Sequence, residues 1–438
     1  MKGTRYMIAL LFLVSVGIFG SCKETEAPVE EPIAAPEPQP DLSTAMQKVF
    51  DDFELVGMSV ALIHKGSVAW EGHYGLANVK KEVPIDGATK YRIASISKTI
   101  TAIALMQLYE QGLVALDEDI GTYLGWQLRN PNHPEIPITL RQLMSHTSSL
   151  RDGQGYFDFS REMVAQELPI ESLFTEDGDY YTADLFDDRR PSDFFTYTNC
   201  SWGLVASIVE RASGMHFDRY CQKNIFEPMG LKANFNVAQL EDTDKLAALY
   251  RYENGAWNAQ VDDYTETAPV ERRYGSYTAG RNGLLFGPQG SLRASTDDLI
   301  AIAKLFFNRG TYNGNTILSA ESIDKMTARE WVFSGANGDT WEGFFNAYGL
   351  GIHCVLNAPK GDIIFPDRKM IGHPGIAYGL LSDLYIDPVS ESGVVFITNG
   401  SKKEYKYGKD SSFYGVEEAV FKQLYPYLKT LESANTVF

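Results

Sequence analysis

The chain has 438 residues, 44% of them hydrophobic and 22% charged, too apolar for a disordered chain and ample for a large core. Its 39 basic against 57 acidic residues give a formal charge of −18, a field that repels phosphate backbones and argues against a nucleic-acid partner. Four cysteines are too few for a disulfide framework.

In chain order, Lys2 and Arg5 precede an apolar run over residues 7–19, shorter than the roughly 20 residues that span a bilayer and suited to a secretory signal. Phe19-Gly20-Ser21-Cys22 closes the run and resembles the lipobox of bacterial lipoproteins, with Phe19 where Leu is usual. Residues 1–21 thus read as a signal peptide and Cys22 as the acylated first residue of the mature chain. Residues 22–41, rich in Pro and Glu with no apolar period, read as a disordered tether. The expectation is export to the bacterial cell envelope, with the lipid anchor as the only tie to a membrane.

Residues 42–438 show no second linker and read as one catalytic unit. Residues 58–64 and 68–74 are β-rich runs joined at Lys65-Gly66, a hairpin signature. Residues 93–112 form a long apolar helical run that Gly112 stops. Residues of about 116–289 hold helical stretches at 140–144 and 201–212 and read as a helical insertion. A helix over 299–307 follows, then strand-like runs at 350–356, 380–386 and 394–398, with turns at Asp387-Pro388 and Ser392-Gly393, and a closing helix over 414–428. The parts flanking the insertion, about 42–115 and 290–438, share one sheet. The fold expected is α+β: an antiparallel β-sheet flanked by helices, plus an inserted all-helical subdomain.

Three short motifs carry chemistry. Ser95-Ile96-Ser97-Lys98 opens the apolar helix, so the two polar side chains lie one turn apart on one face and can touch. A lysine amine in an apolar setting, here Ile96, Ile100 and Ile103, becomes a base for the serine hydroxyl because desolvation disfavours its charged form. The Ser95 backbone N–H, unpaired at the helix start, can face an oxyanion. The same pattern at Ser322-Ile323-Asp324-Lys325 reads as a solvated helix. Tyr197-Thr198-Asn199 precedes the 201–212 helix; a tyrosine there can relay a proton and an asparagine can hold a substrate carbonyl. Tyr252-Glu253-Asn254 matches too, but Gly255 makes it a turn. His373-Pro374-Gly375 enters the 380–386 run, and glycines 372, 375 and 379 allow a ligand close to the backbone. His64-Lys65-Gly66 and His73-Tyr74-Gly75 are read as the hairpin turn and a strand end.

That order of motifs resembles the serine β-lactamase and penicillin-binding-protein-like hydrolases, in the class C β-lactamase and DD-peptidase branch. The resemblance covers about residues 46–428, with supporting stretches at 60–75, 91–112, 139–150 (TLRQLMSHTSSL), 195–214 and 290–310. It implies the β-lactamase/transpeptidase-like architecture, with Ser95 as acylated nucleophile, Lys98 as base and Tyr197 as proton shuttle. Asn199, His373, Gly375 and Ile376 would bind substrate, and the N–H groups of Ser95 and Ile376 would form the oxyanion hole. The chemistry calls for no cofactor and no metal, and the partner is a small-molecule or short-peptide substrate.

One departure bears on substrate. The branch's β-lactamases carry Lys-Thr-Gly as third motif, and this chain has none; His373 replaces the cation by a group titrating near neutrality, and Pro374 removes a hydroxyl. Ile376 narrows the cleft. The expected activity is therefore hydrolysis of a small amide, peptide or ester, D-amino-acid-containing fragments included, with poor β-lactam turnover. A class C-like β-lactamase, or a non-hydrolytic penicillin-binding or sensor protein, are the rivals. His146 reads as a buried structural histidine. The aromatics at 156–159, 180–181 and 274–277 read equally as cleft lining or packing. Asp177, Asp179, Asp184, Asp187 and Asp188 read as solvated loop acids, and Cys200, Cys221 and Cys354 receive no role.

Overall fold

The computed structural model describes residues 41–269 and 277–434. The signal peptide, Cys22 and residues 22–40 of the tether lie outside the described residues. In chain order come helix α1 (Leu42–Asp52), strands β1 (Gly57–His64) and β2 (Ser67–Asn78), and a 3₁₀ turn (Ala94–Ile96) running into helix α2 (Ser97–Glu110). Helices α3 (Leu140–Met144), α4 (Gln154–Gln166) and α5 (Cys200–Ser213) follow, then a hairpin of β3 (Leu249–Glu253) and β4 (Ala256–Val261) and helix α6 (Thr296–Phe307). Strands β5 (Ile371–Ala377), β6 (Leu380–Asp387) and β7 (Ser392–Thr398) and helix α7 (Gly415–Ala434) complete the series.

The long strands stand side by side as β5-β6-β7-β1-β2 at the centre of a nine-stranded antiparallel sheet. Short strands Trp331–Val332, Ala347–Tyr348 and His353–Cys354 extend the β5 edge, and Val83–Pro84 extends the β2 edge. The first and last strands pair, from Met58 opposite Thr398 to Ile63 opposite Gly393. Their sequences lack the alternation of a half-wet strand because both faces are covered. Ala61, Ile63, Val395 and Ile397 face α6 and belong to the same apolar core as α2. Val60, Leu62, Val394 and Phe396 face α1 and α7, where Met46, Val420 and Leu424 meet them.

Helix α2 is buried at every position from 97 to 108, which explains why its sequence is apolar without a clear stripe. It runs between the sheet and the helices of the insertion, and one apolar core holds residues of both, Ile63 and Ile397 with Leu204 and Phe226.

Several sequence expectations change. The insertion is not helical throughout: β3 and β4 pair across Asn254 and Gly255, whose φ angles of 55° and 81° make the turn read there. The run 350–356 is a strand only at His353–Cys354, because Gly351 (φ +72°) turns the chain against Ala102 and Trp202. Ser392 and Gly393 belong to β7, so the β6–β7 turn is residues 388–391, with Glu391 left-handed. His73 lies inside β2, hydrogen-bonded through Nδ1 to Ser59 Oγ (3.1 Å), not at a strand end.

Two buried acids face each other where the sheet meets α7. Asp383 of β6 lies beside Glu417 of α7, and Glu417 accepts the Tyr414 N–H (2.6 Å). Burial, with each acid beside the other, pushes Asp383 well above the carboxylate range, and burial raises Glu417 to about 8. The native chain therefore keeps protons that the unfolded chain releases, and stability falls as pH rises from about 4.5 to about 8. Thermal unfolding between pH 5 and 8 is expected to show a falling midpoint for the native chain and a flatter dependence for Glu417→Gln.

Candidate active site

The chain enters the site through a forced turn. Ala94 has φ +47°, a left-handed conformation that costs a non-glycine residue about 1 kcal/mol. Side chains hold it there: Ser97 Oγ donates to the Ala94 carbonyl (2.6 Å) and Ser382 Oγ of β6 to that of Ile93 (3.0 Å). The Leu292 N–H in turn donates to Ser97 Oγ (3.1 Å). The turn presents Ser95 half-exposed at the head of α2.

One helical turn on, Lys98 is fully buried. Its Nζ lies 2.9 Å from Ser95 Oγ, 2.8 Å from Asn199 Oδ1 and 2.9 Å from the Gln289 carbonyl. Burial lowers its pKa to about 7, with the Asp152 charge acting in the opposite direction. These partners dictate what the neutral amine can do. The amide oxygen and the carbonyl only accept, so both N–H groups must point at them. The remaining lone pair is left to face Ser95, the one neighbour able to donate. An uncharged Lys98 is thus aimed as a base at the serine hydroxyl.

Tyr197 completes the cluster. Its hydroxyl is close enough to Ser95 for the serine to act on its titration, and its ring centre is 4.8 Å from Lys98 Nζ. Desolvation, aided by Asp152, holds its phenol well above the usual pKa, so it stays protonated. The ring stacks on Phe345 (5.0 Å) and meets the edge of Trp341 (5.0 Å), which is 40% exposed at the mouth of the site.

Ser95, Lys98, Tyr197 and Asn199 therefore come together as the sequence suggested, but other residues behave differently. Asn199 spends both side-chain polar atoms inside the protein, Oδ1 on Lys98 and Nδ2 on Asp152 Oδ2 (2.8 Å). His373 is buried: Nε2 bonds to Tyr348 Oη (2.7 Å) and Nδ1 to the Pro374 carbonyl (2.6 Å). Since the carbonyl only accepts, Nδ1 carries the proton and Nε2 accepts from the tyrosine. Burial, with Lys98 nearby, depresses its pKa well below the usual value, so it does not titrate near neutrality. The glycines make room for the chain itself instead of a ligand. A Cβ on Gly375 would lie 2.2 Å from Ser382 Oγ and 2.4 Å from the Ile93 carbonyl, one on Gly372 against the Leu384 carbonyl, and one on Gly379 against that of Tyr250. This close approach sets β5 against the nucleophile turn, and Ile376, the next residue, is 45% exposed beside it.

His146 is buried and neutral, its Nδ1 accepting the Thr198 N–H (3.1 Å), in keeping with a structural part. Among the described residues no group of three or more His, Cys, Asp or Glu is arranged to hold a metal. Asp184 accepts the Gln154 N–H at the start of α4, and Asp187 pairs with Arg189. Cys200, Cys221 and Cys354 are buried free thiols. Tyr156 packs in the core beside Gln289; residues 274–276 lie outside the described residues. The sequence reading missed Asp152, the Gln289 carbonyl, Tyr348 and Trp341. A lone loop aspartate or a main-chain carbonyl has no spacing signature, although Asp152 stands two residues beyond the TLRQLMSHTSSL stretch.

A family model described as Beta-lactamase matches residues 43–413. Penicillin-binding protein 4* of Bacillus subtilis (strain 168) is 24% identical over 370 residues, 82% of this chain and 71% of that protein. The flp proteins of Staphylococcus aureus are matched over a smaller part, 37% of the length of the strain MRSA252 protein at 23% identity. The fold is that of the octameric penicillin-binding protein homologue from Pyrococcus abyssi (TM-score 0.64, 24% identity, 83% of this chain and 73% of that one). It is shared by the D-amino acid amidase from Ochrobactrum anthropi SV3 complexed with L-phenylalanine (TM-score 0.62, 22% identity, 90% and 100%).

The Gly375 contact yields a test. Gly375→Ala forces its methyl into two groups that hold the Ser95 turn, at a cost of about 1–3 kcal/mol. Urea unfolding should report that loss, and labelling of Ser95 by a serine-directed covalent probe should slow at least about tenfold as the turn shifts.

Proposed function

The chain belongs to the Beta-lactamase family, and from that premise we propose that it is an exported serine hydrolase acting through a Ser95 acyl-enzyme. Its substrates are small amides, peptides or esters, D-amino-acid-containing cell-wall fragments among them. The observation that carries this reading is the 2.9 Å contact between Lys98 Nζ and Ser95 Oγ, with the amine's other partners both obligate acceptors.

In the reaction, neutral Lys98 takes the Ser95 proton as Oγ attacks the substrate carbonyl. The oxyanion is assigned to the backbone N–H groups of Ser95 and Ile376, and the close approach of Gly375 to the Ile93 carbonyl, two residues before Ser95, supports that assignment. Tyr197, protonated and beside Ser95, hands its proton to the departing amine or alcohol and regains one from the Lys98 ammonium. Water then adds to the acyl-enzyme with the same groups returning the proton to Ser95. Asn199 acts on Lys98 and not on the substrate carbonyl, and His373 supports Tyr348 behind the site.

The third motif supports a neutral substrate over a β-lactam. A neutral, buried His373 and a proline at 374 offer neither cation nor hydroxyl to a substrate carboxylate. The amidase neighbour supports amides as one substrate class. The charged-then-apolar start, Cys22 and the Pro/Glu-rich segment support export with a lipid anchor at the bacterial cell envelope.

Ser95→Ala should abolish both ester hydrolysis and labelling by a serine-directed probe; undiminished labelling rejects the assignment. Nitrocefin should be turned over slowly, and rapid turnover would favour the β-lactamase reading. A stable acyl adduct in the mass spectrum with no product would favour the sensor. Because Lys98 must be uncharged to accept a proton and titrates at about 7, kcat/KM for a neutral ester should fall about tenfold per pH unit below that value.

A further inference from the structure

We propose that Asp152 is a positioning residue for acylation: its carboxylate fixes the rotation of the Asn199 amide so that Oδ1, and not Nδ2, faces Lys98. This rests on the reading of Ser95 and Lys98 as nucleophile and base, and deepens it.

Asp152 lies between α3 and α4, half-buried. Oδ1 accepts the backbone N–H groups of Asn199 (2.8 Å) and Cys200 (2.9 Å), and Oδ2 accepts from Asn199 Nδ2 (2.8 Å). The backbone bonds satisfy donors that α5 itself leaves unpaired at its start, which ties the carboxylate to a rigid element. The side-chain bond does something different. An ionised carboxylate can only accept, so the amide edge turned toward it must be NH₂. The opposite edge is then oxygen, and Lys98 Nζ lies 2.8 Å from it.

The alternative rotation costs a half-turn about one bond and would be harmful in either state of the lysine. Against the ammonium, Nδ2 sets donor against donor. Against the neutral amine, Nδ2 donates into the lone pair and removes it from Ser95. The charged and titratable groups around Lys98 do not duplicate this control. From the α5 side come Tyr197, protonated, and Asp152; from the segment after α3 comes His146 and from β5 His373, both held neutral by burial. Asp152 also favours the charged lysine, so its neutralisation lowers the pH at which Lys98 becomes a base.

The experiment compares the rate of Ser95 acylation by a neutral activated ester across pH 5–9 in the full chain, Asp152→Asn, Asn199→Ser and the double variant, with Ser95→Ala as blank. Asp152→Asn lets the facing amides pair in either sense. Its plateau rate is expected to fall about 100-fold, and its acidic limb to move to lower pH. In the Asn199→Ser background the same change should cost less than about threefold, because no amide remains to orient. A role confined to capping α5 would lower the thermal midpoint equally in both backgrounds and leave the plateau rate in place, while the limb moves with the lost charge in either case. An unchanged plateau rate, or the same loss in both backgrounds, overturns the proposal. Asp152→Ser, which also removes the carboxylate, is run alongside and carries the same expected signature should the asparagine variant fail to fold. Absence of any acyl adduct in the unmutated chain would instead overturn the hydrolase reading.

Discussion

A lysine ammonium is costly to bury, and the centre of this molecule is organised around a lysine that is buried completely. The cost is reduced by letting the amine lose its proton near neutral pH, which converts a destabilising group into a base. Full burial alone would not aim that base. The aim comes from hydrogen-bond arithmetic: two neighbours that can only accept leave a single direction for the lone pair, toward Ser95. Each surrounding element can be understood as keeping that arithmetic intact.

Helix α2 carries both residues and has no wet face, so it cannot rotate to relieve the lysine without exposing apolar surface. Gln289 and Asn199 approach from separate parts of the chain, and Asn199 is anchored by Asp152 at the start of α5. On the opposite side β5 presses its glycine against the Ile93–Ala94 turn, holding a left-handed alanine in place. Strain at Ala94 and dense packing at Gly375 are local costs, met by a sheet whose first and last long strands are paired in the centre of the molecule. Rigidity at the nucleophile thus traces back to closure of the chain's two ends.

What the sequence made legible follows from this division. The paired strands, α2 and α5 announce themselves by composition and by glycine stops, Ser95 and Lys98 by spacing, since residues one turn apart on a helix must be neighbours, and Tyr197 by its place in the order of motifs. The contribution of His373 was legible as a motif but not in sense: periodicity cannot say that Tyr348 and a backbone carbonyl occupy both ring nitrogens. Nor can it distinguish a glycine that admits a ligand from one that admits the Ile93 carbonyl. Asp152 and Gln289 were invisible because their importance lies in which atoms they present to a distant side chain. The run at 350–356 was misjudged because one left-handed glycine outweighs the β propensity around it.

The electrostatics of the site lead to substrate choice. Lys98 is half neutral at its own pKa of about 7 and shielded behind Ser95 and Tyr197, while His373 is held neutral in the interior. Nothing at the third motif presents a fixed positive charge to an incoming carboxylate, and the chain as a whole carries −18. An anionic substrate would be repelled at long range and unpaired on arrival, losing both the steering and the charge-assisted hydrogen bond that a lysine at position 373 would supply. A neutral amide or ester escapes both penalties. It meets instead the exposed faces of Trp341 and Ile376, which flank the nucleophile from the Tyr197 side and the β5 side and reward apolar groups. His in place of Lys in one short motif therefore removes the cation that would pair with a carboxylate, in keeping with the neutral substrates proposed.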